Sequence, residues 1–141
     1  MDRAALDAAM VCGVPVGGWC PRGRRAEDGP IPARYPLAET ASSDYAERTR
    51  RNVLDADATL VLTWGRPDDG TLLTIALAQE VGKPLHVVAL GAGAMVGSVA
   101  EWLRTEGVRV LNVAGPREST VPGVYAEALD FMRRLLAALG R

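Results

Sequence analysis

The uncharged run Thr59-Leu60-Val61-Leu62-Thr63 constrains this chain more than any other stretch. Apolar or β-branched residues fall on both parities, so the run fits a strand covered on both faces. It stops at Gly65, and Pro67-Asp68-Asp69-Gly70 is turn chemistry. Asp68 or Asp69 is placed to cap a helix that begins near Gly70 and carries Leu72, Leu73, Ala76 and Leu77. Strand, glycine turn and capped helix together aim backbone N–H groups and a helix N-terminus at an anion. Thr71 and Thr74 add hydroxyl groups in the first turns. The stretch therefore predicts a site for a phosphate-bearing small molecule. The plainer alternative is that Gly65 and Gly70 only allow a tight strand-to-helix turn to close.

The same word, helix then glycine then short strand, recurs around Gly13, Gly82 and Gly107. It predicts strands at Val14-Pro15-Val16, over 85–90 and over 108–114, the second of them read as buried. Helices are expected from Asp2 to about Met10, from Ser43 or Asp44 onward, from Val96 to Leu103, and from about Pro122 to Leu139. Glu47 is placed for a capping box on the second, whose apolar face is Tyr45, Thr49, Val53 and Ala56. Alternation of this kind implies an α/β fold: a Rossmann-like three-layer domain with a mostly parallel sheet, spanning 1–141 as one unit. Right-handed crossovers collect the strands' C-terminal ends on one rim, where ligands bind open parallel sheets. That rim gathers Gly17-Gly18-Trp19, the turn from Gly65 to Thr71, Gly91 to Gly93, and Asn112 to Ser119. Gly91, Gly93 and Gly97 miss the dinucleotide fingerprint spacing by one residue.

Gly17 to Thr40 holds four prolines and four glycines, a long irregular segment of the kind that is usually functional. Its aromatic residues Trp19 and Tyr35, with Ile31 and Leu37, favour an ordered loop. Arg22, Arg24 and Arg25 suit bidentate phosphate contact if they face the rim, and solvent if they do not. Glu27, Asp28 and Glu118 are the carboxylates a hydrolase could use as general base. His86, in mid-strand, reads as structural. Cys20 has no histidine near it in sequence, so nucleophilic use is not expected. Arg48, Arg51 and Asn52 read as an exposed polar helix face, and Asp55 and Asp57 as helix-terminating residues.

Lys plus Arg is 16 and Asp plus Glu is 17. That balance excludes a general nucleic-acid binder, which shows a basic excess. No apolar run is long enough to span a bilayer, and no signal-type segment opens the chain, so a cytoplasmic protein without membrane association is expected. Two cysteines alone cannot build a four-ligand metal site; no metal is expected.

The motifs DRAALDAA, GGWCPRGRRAEDGPIPARYPLAET, RNVLDADATLVLT, GTLLT and RVLNVAGPRES resemble the family of proteins named as molybdenum-cofactor carriers. That family sits in the Rossmann-like SLOG superfamily with the lysine-decarboxylase-like phosphoribohydrolases. The resemblance covers essentially the whole chain. It implies a carrier or binding protein for a phosphorylated, nucleotide-like small molecule, with molybdenum cofactor (molybdopterin) or a nucleotide as ligand. The implied site is Gly17, Gly18, Trp19, Gly70, Thr71, Thr74, Asn112, Gly115, Arg117, Glu118 and Ser119. Phosphoribohydrolase relatives place a glutamate where this chain has Thr74, which counts against the alternative, a nucleotide-processing hydrolase.

The resemblance also expects a strand and a glycine-rich turn, Ser-Gly-Gly-Gln-Thr-Gly-Val, directly before the first helix, with Met1 standing where that valine would be. A domain of this class normally opens on a strand, and this chain opens on a helix. The expectation is that a form extended upstream is more stable, and that an exposed strand edge makes this one a homo-oligomer.

Overall fold

In the computed structural model, residues 2–26, 28–91 and 95–140 are described. The run that led the sequence reading is the middle strand of the main sheet. It is β3, Ala58–Thr63, buried along its whole length. On one side it pairs in parallel with β4, Leu85–Ala89, and on the other with β5, Leu111–Ala114. The order is therefore β4-β3-β5. Among the described residues five helices surround the strands: α1 (Asp2–Val11), α2 (Tyr45–Asp55), α3 (Asp69–Val81), α4 (Val96–Thr105) and α5 (Val124–Ala138). The architecture is the expected Rossmann-like three-layer α/β domain.

Local chemistry sets the helix ends. The Asp68 carboxylate accepts the Thr71 N–H at 2.8 Å and caps α3, and Gly82, at φ 78°, closes it in the left-handed conformation. Asp44 caps α2 by accepting the Ala46 N–H. The other half of the expected capping box is not used, because the Asp44 N–H donates to the Ser42 hydroxyl.

The core packs Leu60 and Leu62 of β3 against Val99, Ala100 and Leu103 of α4, Phe131, Met132 and Leu135 of α5, and Ala4 and Ala8 of α1. A polar clasp ties α1 to α5 and to the long loop. The Tyr35 hydroxyl donates to the Asp7 carboxylate at 2.8 Å, and the Tyr125 hydroxyl donates to the same carboxylate. That bond to Asp7, then burial, pushes the Tyr125 phenol up to about 12.

Three expectations fail in instructive ways. Val14-Pro15-Val16 is not a strand: Pro15 has no N–H to give a ladder, and no described strand lies beside it. The short ladder forms later, where β1 (Trp19–Cys20) pairs in parallel with β2 (Ala38–Glu39) inside the long loop. β4 is an edge strand with Val87 47% exposed, not a buried one, because among the described residues β3 is its only neighbour. β5 begins three residues late. The Asp57 carboxylate takes the N–H groups of Arg109 and Val110, both at 2.9 Å, where a ladder would have begun. On α3, Leu72 and Leu73 face outward, and Thr71, Thr74 and Ala78 make the buried face.

β5 has a second consequence. Its four residues are only half-buried, and the described residues supply no strand to its outer edge.

Candidate functional site

Along that open edge runs a cleft of about 1610 Å³. Leu111 to Gly115 form one wall, and Val14 to Pro21 with α2 form another. Leu135, Leu136 and Leu139 add apolar lining, and Gly70, Thr71, Gly115 and Arg117, which follow the C-terminal ends of β3 and β5, line it as well. Small-molecule sites usually occupy about 300–1,000 Å³, so the cleft has room to spare.

Of the residues expected at the rim, Gly17, Gly18, Trp19, Gly70, Thr71, Thr74, Asn112, Gly115, Arg117 and Glu118 all line this cleft. Ser119 does not line it. Gly93 lies outside the described residues, as does the candidate base Glu27.

The N-terminal wall is held by α2. The Asn52 side chain accepts the Trp19 N–H at 2.8 Å and donates back to the Trp19 carbonyl at 3.3 Å, standing in for a neighbouring strand. Gly18 is required by that arrangement. It sits at φ 130°, and a Cβ there would lie 3.1 Å from the Asn52 side-chain oxygen. The Trp19 indole N–H donates to Asp55 at 2.6 Å, and the Arg51 guanidinium lies 5.0 Å from the ring centroid. Asn52 and Asp55 were read from the sequence as a polar face and a helix terminus. Their spacing on α2 gave no sign of a partner thirty residues upstream.

At the turn before α3, the Thr71 N–H is already bonded to Asp68. The Thr74 hydroxyl donates to the Gly70 carbonyl at 3.1 Å. The Thr71 hydroxyl oxygen is buried and has no partner among the described residues. Across the cleft, the Asn112 amide donates to the Thr59 hydroxyl at 3.4 Å.

The long loop sorts its own arginines. Arg24, at φ 53°, donates to the carbonyls of Ile31, Pro32, Tyr35 and Leu37 and is the loop's internal brace. Arg22 does not line the cleft, and Arg25 does.

The described carboxylates have other duties. Asp28 accepts two bonds from Arg3, at 2.8 and 3.0 Å, and that guanidinium holds its carboxyl below the usual range. Both Glu118 oxygens accept the Gly123 N–H, ahead of α5. Cys20 is buried, and burial pushes its thiol up. His86 stacks at 5.0 Å on Trp102. No group of three His, Cys, Asp or Glu among the described residues could hold a metal ion. No described helix is long and apolar enough to cross a membrane.

Comparison with known proteins fits this geometry. No curated protein matches the chain. A crystal structure named "Putative molybdenum carrier protein", from Syntrophus aciditrophicus SB, superposes with a TM-score of 0.89 at 39% sequence identity. The match covers 96% of this chain and 87% of that one. Residues 1–136 match the model of the circularly permuted YpsA SLOG family. On a family match over nearly the whole chain and this likeness to a solved structure, the chain belongs to the circularly permuted YpsA SLOG family.

Proposed function

We propose that this chain binds a phosphorylated, nucleotide-like small molecule at the rim end of the cleft, with molybdenum cofactor as the first ligand to try. The observation that carries the reading is the Thr71 hydroxyl, buried in the cleft wall without a partner among the described residues. A buried hydroxyl left unmatched costs about 1–3 kcal/mol. A phosphate oxygen arriving at the start of α3 would satisfy it, and the helix N-terminus favours that charge. Trp19 offers a ring for stacking, and Arg25 and Arg117 offer positive charge on the same cleft. The name of the Syntrophus neighbour supports the same ligand class. A carrier needs no catalytic base, and the two described carboxylates a hydrolase could use are bonded to Arg3 and to the Gly123 N–H.

Native mass spectrometry of freshly purified protein is the direct test, and a co-purifying phosphorylated molecule is expected. Thr71→Ala should weaken its binding by about 1 kcal/mol, roughly fivefold. Gly70→Val should do worse by blocking close approach to the backbone. Parent-like binding by both variants would remove the turn from the site. Release of free base from nucleoside monophosphates would replace the carrier reading with a hydrolase.

A further inference from the structure

Three arginines from three distant parts of the chain converge on one ring. The guanidinium carbons of Arg117, Arg25 and Arg48 lie 4.7, 4.9 and 5.6 Å from the centroid of the Tyr45 ring. Arg25 comes from the long loop, Arg48 from α2 and Arg117 from the loop after β5. All three, with Tyr45 itself, line the cleft. In a chain of formal net charge -1, this is a dense local concentration of positive charge.

The ring explains only part of the arrangement. A cation over an aromatic face gains about 0.5–1 kcal/mol at an exposed site. Three like charges around one ring oppose one another, most strongly where water is partly excluded. Among the described residues no carboxylate pairs with Arg25 or Arg117. The polar partner of Arg25 is the Ser43 carbonyl, at a long 3.4 Å. Asp44, beside Tyr45, is occupied in capping α2. Planar guanidinium groups on a common centre suit an anion with several oxygens, because each fork can take two of them.

We propose that Arg25, Arg48 and Arg117, gathered on Tyr45, form a subsite for a multiply charged phosphate, a pyrophosphate group rather than a single phosphate. The inference deepens the proposed function, since it names the charge of that ligand's anionic end. It rests on the arginines and not on the turn at Gly70. A diphosphate carries enough charge to offset the guanidiniums of Arg25 and Arg117, which no described carboxylate pairs, and enough length to reach Arg48 beside them. The mutual repulsion of the arginines then turns into binding energy when the ligand arrives.

The probe is inorganic pyrophosphate, with orthophosphate as its comparison, titrated by calorimetry at matched ionic strength. Pyrophosphate should bind at least tenfold more tightly than orthophosphate and lose affinity as salt rises. R25Q and R117Q should each weaken pyrophosphate binding tenfold or more, and Tyr45→Leu should weaken it by dispersing the cluster. R50Q, on the solvent side of α2, should bind as the parent does. Without ligand, R117Q should melt no lower than the parent, since removing one of three like charges relieves repulsion. A lower melting temperature for R117Q with unchanged pyrophosphate binding would make the cluster a structural latch and overturn the proposal. So would equal losses in R50Q and R25Q, or a parent that does not distinguish pyrophosphate from orthophosphate. Should pyrophosphate bind through the arginines while no nucleotide-like ligand binds at all, the subsite stands and the proposed function falls. Should nucleotide binding depend on Thr71 and ignore R25Q and R117Q, the reverse holds.

Discussion

The neighbouring strands β3 and β5 are built from similar sequence and end in different states. On the β3 strand itself, Leu60, Val61 and Leu62 are at 0% exposure. One ladder step away, Leu111, Asn112, Val113 and Ala114 of β5 are all half-exposed to the cleft. ATLVLT and LNVA are both apolar runs with β-branched residues, and either could serve as a buried strand. The difference lies in neighbours. β3 has a strand on each side and helices above and below, whereas β5 has one strand and a cavity. Hydrophobic sequence records what a strand can tolerate, and its burial depends on what lies beside it.

The largest test of that contrast is a pair of core truncations. Leu60→Ala should cost about 3–4 kcal/mol, because a fully enclosed site cannot collapse around the lost atoms. Val113→Ala should cost about 1 kcal/mol, since the cleft already leaves that side chain half-packed. Urea unfolding measures both, and comparable losses would erase the distinction between the two strands.

A second test fills the open edge. A designed strand-length segment, fused so that it can reach the outer edge of β5, should raise the melting temperature by several degrees, as an added ladder and its buried side chains contribute about 1–2 kcal/mol. Amide exchange in β5 should slow at the same time, while exchange in β3 should hardly change. An unchanged melting temperature would break the comparison.

A smaller effect is expected at the cap of α3. Asp68→Ala should lower stability by about 1 kcal/mol through loss of the bond to the Thr71 N–H. It should also free that N–H toward the cleft, so ligand affinity should hold or rise while the melting temperature falls. A parallel loss of both would mean that the cap shapes the site as well as the helix.

The smallest effect concerns pH. The N–H bonds from Val110 and then Arg109 hold the Asp57 carboxyl below its usual value. A carboxyl depressed in the folded state stabilises above its unfolded pKa, near about 4, and loses that contribution as pH falls through its folded value. Asp57→Asn should therefore lower stability slightly at neutral pH, where the charged carboxylate contributes, and flatten the acid side of the profile, so that variant and parent converge as pH falls below about 4. An unchanged acid limb would show that the two N–H bonds are matched in the unfolded chain.

The turn at Gly70 and the family resemblance were both readable in the residues. So were β3, the five helices and the stop at Gly82, because periodicity, caps and left-handed glycine turns are local properties. Which of Arg22, Arg24 and Arg25 faces the cleft was not readable. All three are exposed-type residues within four positions, and only the path of the loop separates the brace Arg24 from the cleft-lining Arg25. Tyr45 and Arg48 looked like any amphipathic helix start, because the partner that gives them meaning, Arg117, comes from the loop after β5, far away in sequence. The sequence by itself determined the elements, their order and the chemistry available at their ends. The tertiary structure alone decided which edge of the sheet stays open and which charges meet there, because those depend on contacts between segments that local sequence does not relate.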